Sequence, residues 1–215
     1  MDPQLIDRIY ECSFVPDAWP SLLDELAHIA DARGGHLFAA DTKVLNWTSS
    51  ASIREGVRKF ATGDFVTRGQ RCVRLCAANH AGFLTENDIY SDGELETDPF
   101  YHELLWPAGL GWAAGTAIPM PTGDTLFFTL ERDKVRGPVE AAIVQRLDVL
   151  RPHLARSAFV SARLQFERAR IAAETLALIG LPALVFDHRG RVLAANHLIE
   201  ALTEHIRWGA RIGWR

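Results

Sequence analysis

The 215-residue sequence predicts an α+β protein: an antiparallel sheet flanked by helices, then a long kinked connector helix and a partial second unit. Three observations carry this. Runs with strand-like patterning cluster at 36–48 and 112–131. Amphipathic helical spacing recurs before and between them. A single helical pattern then extends from 138 to 179. Hydrophobic residues at 48% and charged residues at 23% exclude a disordered or collagen-like chain.

The elements follow in order. Leu5, Ile6, Ile9 and Tyr10 share one face of a short helix. After Pro16-Asp17, the spacing of Trp19, Leu22, Leu23, Leu26, Ile29 and Ala30 predicts a helix with one buried side, with Asp17 as its cap. Gly34-Gly35 ends it. His36–Ala40 and Val44–Thr48, joined by Asp41-Thr42-Lys43, suit a β-hairpin. Ile53, Val57 and Phe60 mark a helix to about Thr62, whereas 63–81 gives no clear pattern. Six carboxylates and no base between 86 and 98 read as a solvated loop and helix start. Phe100, Tyr101, Leu104 and Leu105 form the apolar side of a short helix that Pro107 and Gly109 terminate.

Trp112–Ile118 and Thr125–Glu131 are the clearest strands, separated by 119–124. In the second, Leu126, Phe128 and Leu130 take one face and Phe127, Thr129 and Glu131 the other. In the first, Ala113, Gly115 and Ala117 leave a face of small side chains, fit either for a closely packed helix or for a space. Gly137-Pro138-Val139-Glu140 starts the connector, Pro152 predicts a kink, and Gly180 and Pro182 stop it. Ile143, Leu147, Leu150 and Leu154 make a heptad-like seam that weakens at Ser157 and Ser161 and partly recovers at Leu164, Ile171 and Leu178. Leu184–Phe186 and Val192–Ala194 flank the turn Asp187-His188-Arg189-Gly190, and Asn196 caps a last helix with Leu198, Ile199 and Leu202. The domain boundaries are therefore 1–137, 138–179 and 180–215, the last too small for a core of its own.

Charge is uneven. Residues 1–137 carry 12 Lys/Arg against 20 Asp/Glu, and 138–215 carry 11 against 7. The first part repels nucleic acid, and the second is only mildly basic, so the chain is a poor DNA binder. No apolar run reaches the roughly 18 residues of a membrane span, and the N-terminus lacks signal-peptide character. Three cysteines in so long a chain are no disulfide framework, which points to the cytoplasm.

Chemical motifs are few. His102-Glu103-Leu104-Leu105-Trp106 begins like a zinc-protease signature, but Trp106 stands where the second histidine belongs. Asp88, Asp92 and Gly93 open like a calcium loop, yet Tyr90 and Pro99 occupy ligand positions. The glycine-rich 109–115 lies between a helix end and a strand, the wrong order for a dinucleotide fingerprint. Neither a P-loop nor a nucleophile elbow occurs. Cys72, Cys76 and His80 are spaced by four but lack a fourth metal ligand. No catalytic residue, metal or cofactor is expected. The aromatics of the central part are either core or the lining of a small-molecule cavity. Trp47, Phe65, Phe100, Tyr101, Trp106, Trp112 and Phe127 are the ligand-binding candidates.

Asp98-Pro99-Phe100-Tyr101-His102-Glu103 through Trp106-Pro107-Ala108-Gly109-Leu110 resembles the sensor region of a group of LuxR-type bacterial transcription regulators. The resemblance extends to Gly137-Pro138, to Leu150-Arg151-Pro152-His153-Leu154-Ala155-Arg156, and to Leu181–Asp187 with Gly190–Asn196, which resembles the start of a PAS-type repeat. It implies a GAF- or PAS-like sheet, a connector helix, a partial PAS-like segment, and a C-terminal helix-turn-helix, for which 206–215 offers no pattern. Pocket residues of the acyl-homoserine-lactone receptors are not carried over. The function so implied is a non-enzymatic sensory and dimerisation region of a transcription regulator. It would bind a small-molecule effector, form a homodimer through the 138–179 helix, and reach DNA only through a further domain. A sensor of a histidine kinase or cyclase and a stand-alone non-catalytic binding module are the alternatives. Only turnover of a substrate would favour an enzyme.

Overall fold

The computed structural model describes residues 3–40, 44–120, 123–186, 190, 192–200 and 202. The turns expected at 41–43 and 187–189, and the stretch 206–215, lie outside the described residues. The chain divides into two compact units, Met1–Ser157 and Ala158–Arg215. The long helix contributes to both, so the first unit extends well beyond the expected boundary at residue 137.

In the first unit, five antiparallel strands lie in the order β2-β1-β5-β4-β3: β1 Gly34–Ala40, β2 Val44–Ser49, β3 Leu84–Thr85, β4 Leu110–Pro119 and β5 Thr125–Asp133. Register fixes which side chains share a face. Phe38 pairs with Phe127 and with Trp47, and His36 with Thr129. Phe127, Thr129 and Glu131 thus stand on one side of β5, and Phe128 and Leu130 on the other, as the alternation predicts.

The second side is covered by α1 (Pro3–Glu11), α2 (Trp19–Ile29) and the start of α7 (Ala141–Leu178). Leu5, Ile9, Leu22, Leu23 and Leu26 meet Leu37, Ala114, Phe128 and Leu130 there. Asp17 does not cap α2. It lies in a 3-10 turn over Pro16–Ala18, and Ala18 precedes the helix. Ile143, Leu147, Leu150 and Leu154, expected as a seam between helices, are buried in this same core. Ser157 is fully buried as well. Its hydroxyl donates to the Ile9 carbonyl at 2.6 Å and lies 2.8 Å from that of Ser13. This half of the helix stripe is amphipathic because it closes its own domain. The helix runs on through Pro152, whose missing N–H leaves the Asp148 carbonyl without its helical donor.

The first side is covered by α3 (Arg54–Thr62), α4 (Phe65–Arg68), α5 (Arg71–Ala78), α6 (Glu86–Ile89) and a π-helical turn over Phe100–Leu105. The expected short helix at 100–105 is therefore wound wider, with Trp106 N–H donating to the Tyr101 carbonyl at 2.9 Å. The small-residue face of β4 is filled rather than vacant: a Cβ on Gly115 would stand 3.2 Å from Leu75 of α5.

In the second unit, β6 (Leu184–Phe186) pairs with β7 (Val192–Ala195), followed by α8 (His197–Glu200). Gly180, at φ +76°, closes α7, and the Leu181 N–H returns to the Leu176 carbonyl at 3.0 Å. Asn196 is fully buried and caps α8, with Oδ1 accepting from Ile199 N–H at 3.1 Å. Its Nδ2 donates to the carbonyls of Ala173 and Leu181, both at 2.9 Å.

Candidate functional site

An aromatic layer lies between the first side of the sheet and its helices. Phe38 stacks on Phe127 with ring centres 4.9 Å apart, and Phe60 meets Phe38 at 5.1 Å and Phe100 at 5.4 Å. Asp98 organises this layer. Its carboxylate accepts from Gln70 N–H at 3.0 Å, Tyr90 OH at 2.6 Å and Phe100 N–H at 2.9 Å. One buried side chain thereby anchors both the start of α5 and the start of the π-helical turn. Gly69 completes the join, since a Cβ there would lie 2.8 Å from the Phe100 Cβ.

At the sheet end of the layer sits a buried ionic cluster that the sequence reading did not anticipate. Arg71, 5% exposed, donates to Glu86 at 2.9 Å, Glu131 at 2.5 Å and Tyr101 OH at 3.1 Å. Its guanidinium lies 4.9 Å from the Phe100 ring centre and 5.1 Å from that of Tyr101. Glu86 also accepts from Tyr101 OH at 2.9 Å and Ala113 N–H at 2.8 Å. His36 Nε2 is 3.1 Å from Glu131 Oε1. Burial pushes the Glu86 carboxyl above the usual range despite Arg71. Burial opposes ionisation of Glu131 too, but Arg71 and then the His36 contacts outweigh it and hold that carboxyl below the usual range. Glu86 and Asp98, read from sequence as part of a solvated acidic stretch, are among the most buried polar residues here.

Two small cavities open off the layer and share His36, Phe60 and Phe100 as a common wall. One, of about 10 Å³, touches Phe65, Arg71, Cys72, Phe127 and Thr129. The other, of about 30 Å³, touches Ile53, Val57, Leu104, Leu110 and Glu131. The first holds roughly one water-sized group and the second about two, because about 10–15 Å³ of such space admits a single water. A larger ligand enters only if Phe60 or Phe100 swings aside.

The structure gathers six of the seven aromatic candidates into this layer. Phe65, Phe100 and Phe127 line a cavity, and Tyr101, fully buried, serves the ionic cluster. Trp47 and Trp106 pack at its margins, with Lys134 Nζ lying 3.6 Å from the Trp106 ring centre. Trp112 is not part of it. A register shift at Leu110–Trp112 places it opposite Arg132, and its indole N–H donates to the Lys134 carbonyl at 3.1 Å. Cys72 is a cavity residue whose thiol burial pushes up to about 12, and burial raises Cys76 as well, so neither is a ready nucleophile. Among the described residues no group of three or more His, Cys, Asp or Glu side chains could hold a metal ion. Nor is any helix among them long and apolar enough to cross a membrane.

The fold has relatives among solved structures. The ligand-binding domain of VqsR from Pseudomonas aeruginosa matches with a TM-score of 0.56 at 16% identity, over 74% of this chain and 95% of that one. The N-acylhomoserine-lactone-dependent LuxR-family transcription factor CepR2 from Burkholderia cenocepacia matches at 0.52 and 15%, over 75% and 97%. SdiA in complex with octanoyl-rac-glycerol matches at 0.50 and 14%, over 88% and 67%. No protein-family profile matches the chain, and no curated protein does. The five-stranded sheet with its flanking helices and long helix is the fold of LuxR-type ligand-binding domains.

Proposed function

We propose that this chain is the sensory and dimerisation region of a LuxR-type transcription regulator, with its effector site in the aromatic layer. The observation that carries the reading is this layer: two cavities divided only by side chains, in a fold shared with ligand-binding domains. Binding would part Phe60 from Phe100 and load the π-helical turn and α3, and α7 would pass the change to a helix-turn-helix carried elsewhere. An effector acts this way only through different affinities for two arrangements. No residue here is assigned a catalytic role.

Cys72 supplies the test, because it lines a cavity whereas Cys76 is exposed. Octanoyl-rac-glycerol, bound by SdiA, is the first probe, followed by a panel of short amphiphiles. A bound probe raises the melting temperature and slows iodoacetamide labelling of Cys72, followed at alkaline pH because burial suppresses its thiolate, without slowing Cys76. If no probe does either, the sensor reading fails.

Dimerisation rests on the second half of α7, since the first half is committed to the core of its own unit. Ile171 is 60% exposed and Leu178 87%, at heptad spacing. Replacing both with Asp should convert a dimer to a monomer by light scattering. An unchanged mass would refute this surface.

A further inference from the structure

Helix α7 is tied to the sheet by two side chains in the turn that precedes Pro152. Arg151 donates from Nε to the Thr116 hydroxyl at 2.8 Å and from Nη2 to the Ala117 carbonyl at 3.2 Å. Asp148 Oδ1 accepts from the Phe83 N–H at 2.6 Å. Gly82 permits that approach, since a Cβ there would stand 2.8 Å from the same oxygen. Phe83 leads directly into β3, which pairs with Ala114 and Gly115 of β4, and Ala117 lies two residues beyond that pairing. Both grips therefore hold the β3–β4 edge of the sheet.

The aromatic layer rests on the same edge from the opposite side. Leu75 of α5 lines the smaller cavity, and its Cδ1 is 3.2 Å from where a Gly115 Cβ would stand. Glu86, one residue past β3, accepts from the Ala113 N–H at 2.8 Å and from Arg71 of α5 at 2.9 Å. Ala113, Gly115 and Ala117 have no long side chains to absorb a displacement. In a close-packed interior a shift of α5 is then felt by the β4 backbone itself. One strand's thickness separates Leu75 from the groups that Arg151 holds.

The receiving turn is the weak point of α7. Pro152 offers no N–H to the Asp148 carbonyl, so bending there sacrifices one hydrogen bond fewer than elsewhere in the helix. Past the proline, α7 is clamped to α1: Tyr10 OH lies 3.1 Å from His153 Nδ1, and the Ser157 hydroxyl donates to the Ile9 carbonyl. The turn before the proline follows the sheet, and the turn after it follows α1.

We infer that Asp148 and Arg151 couple the aromatic layer to α7 across the sheet, so that moving Leu75 against Gly115 bends the helix at Pro152. Both are positioning residues and touch no effector. As the route of an effector's signal, this rests on the aromatic layer being the effector site; as a mechanical link, it does not.

Hydrogen exchange on the full chain tests the link without any effector. Leu75→Val removes the methyl groups that bear on Gly115. Amides 153–157 should then exchange roughly fivefold faster, while amides 22–26 of α2, on the same side of the sheet, change by less than about twofold. Arg151→Met keeps much of the stem and loses both hydrogen bonds. In that background Leu75→Val should accelerate 153–157 by no more than about twofold further, because the link is already cut. Gly115→Ala presses on Leu75 instead of releasing it, and takes the place of Leu75→Val if that variant does not fold. No acceleration at 153–157, equal acceleration at 22–26, or the same acceleration with and without Arg151 would overturn the proposal. Octanoyl-rac-glycerol separates it from the sensor reading. If the probe protects Cys72 and leaves exchange at 153–157 unchanged, the coupling falls as a signal route and the sensor reading stands. If nothing protects Cys72 and Leu75→Val still acts through Arg151, the sensor reading falls and the coupling stands.

Discussion

Replacing Arg71 with Met tests whether the ionic cluster holds the first unit together. The methionine stem fills much of the same space, so the main change is loss of charge. Three hydrogen bonds go, to Glu86, Glu131 and the Tyr101 hydroxyl, along with stacking on two rings. More important, two carboxylates at 2% and 3% side-chain exposure remain with no cation between them. Breaking a buried pair in this way costs about 3–5 kcal/mol, more than the pair itself contributes, because the remaining charge is uncompensated. For a unit of this size each kcal/mol is about 2–4 °C, so a drop of roughly 6–20 °C is expected. The pH dependence separates this cause from simple loss of packing. Without Arg71 the folded-state carboxyls rise above their unfolded values, so the folded state binds more protons. The variant should then recover stability as pH falls below neutrality and lose it as pH rises through the raised values. Thermal melts of both proteins across pH 4–8 would measure it. A deficit under about 1 kcal/mol, or one that is flat with pH, would refute the reasoning.

Further outcomes follow from other contacts. Asn196→Ala removes the α8 cap and orphans the carbonyls and amides it serves. It should cost the second unit about 3 kcal/mol, seen as faster hydrogen exchange across 183–199, and exchange unchanged in that stretch would refute it. Gly69→Ala adds a methyl 2.8 Å from the Phe100 Cβ and 2.9 Å from the Phe65 carbonyl; overpacking of about 1–3 kcal/mol is expected in denaturant melts. Glu94 is held down at about 2, chiefly by its hydrogen bonds with Arg74. Its contribution is present above the ordinary value near 4.5 and is lost as pH falls toward 2, so Glu94→Gln should flatten the acid limb of the melting profile.

Every strand but the two-residue β3, and the close of α7, were legible because each depends on local pattern. Leu126–Glu131 alternates with a period of two, Gly180 closes α7 within a few residues of itself, and the cap that Asn196 gives α8 spans three residues, whereas its bonds to Ala173 and Leu181 are long-range. The ionic cluster was not legible as a unit. Arg71 sits in the stretch that shows no clear pattern, since α5 buries a charged residue where periodicity looks for an apolar one. A signal did exist in the strands. Glu131 shares its face with Phe127 and Thr129, and His36 shares one with Phe38, so two ionisable side chains point where only apolar ones need to be. The acidic stretch misled for a related reason: charge density suggests solvent, yet Glu86 and Asp98 each meet several donors. The heptad spacing of Ile143–Leu154 is equally compatible with packing on a sheet or on another helix, and only the tertiary structure separates them. Trp112 was misplaced by one register shift, which a strict alternation does not foresee.

The strand order sets a timetable for folding. Strand β1 lies between β2, its neighbour in sequence, and β5, which begins some eighty-five residues later, with Ala40 opposite Thr125 and Gly34 opposite Glu131. The β1–β2 hairpin can form as soon as it is made, but one of its edges stays open until β5 arrives. Closing so long a loop is slow compared with local pairing. The same event delivers Glu131 to His36 and Arg71, so the charges are buried only when their partners arrive together. A growing chain halted before residue 125 would carry an unpaired sheet edge and an Arg71 that has Glu86 but still lacks Glu131, and would be a natural client for a chaperone.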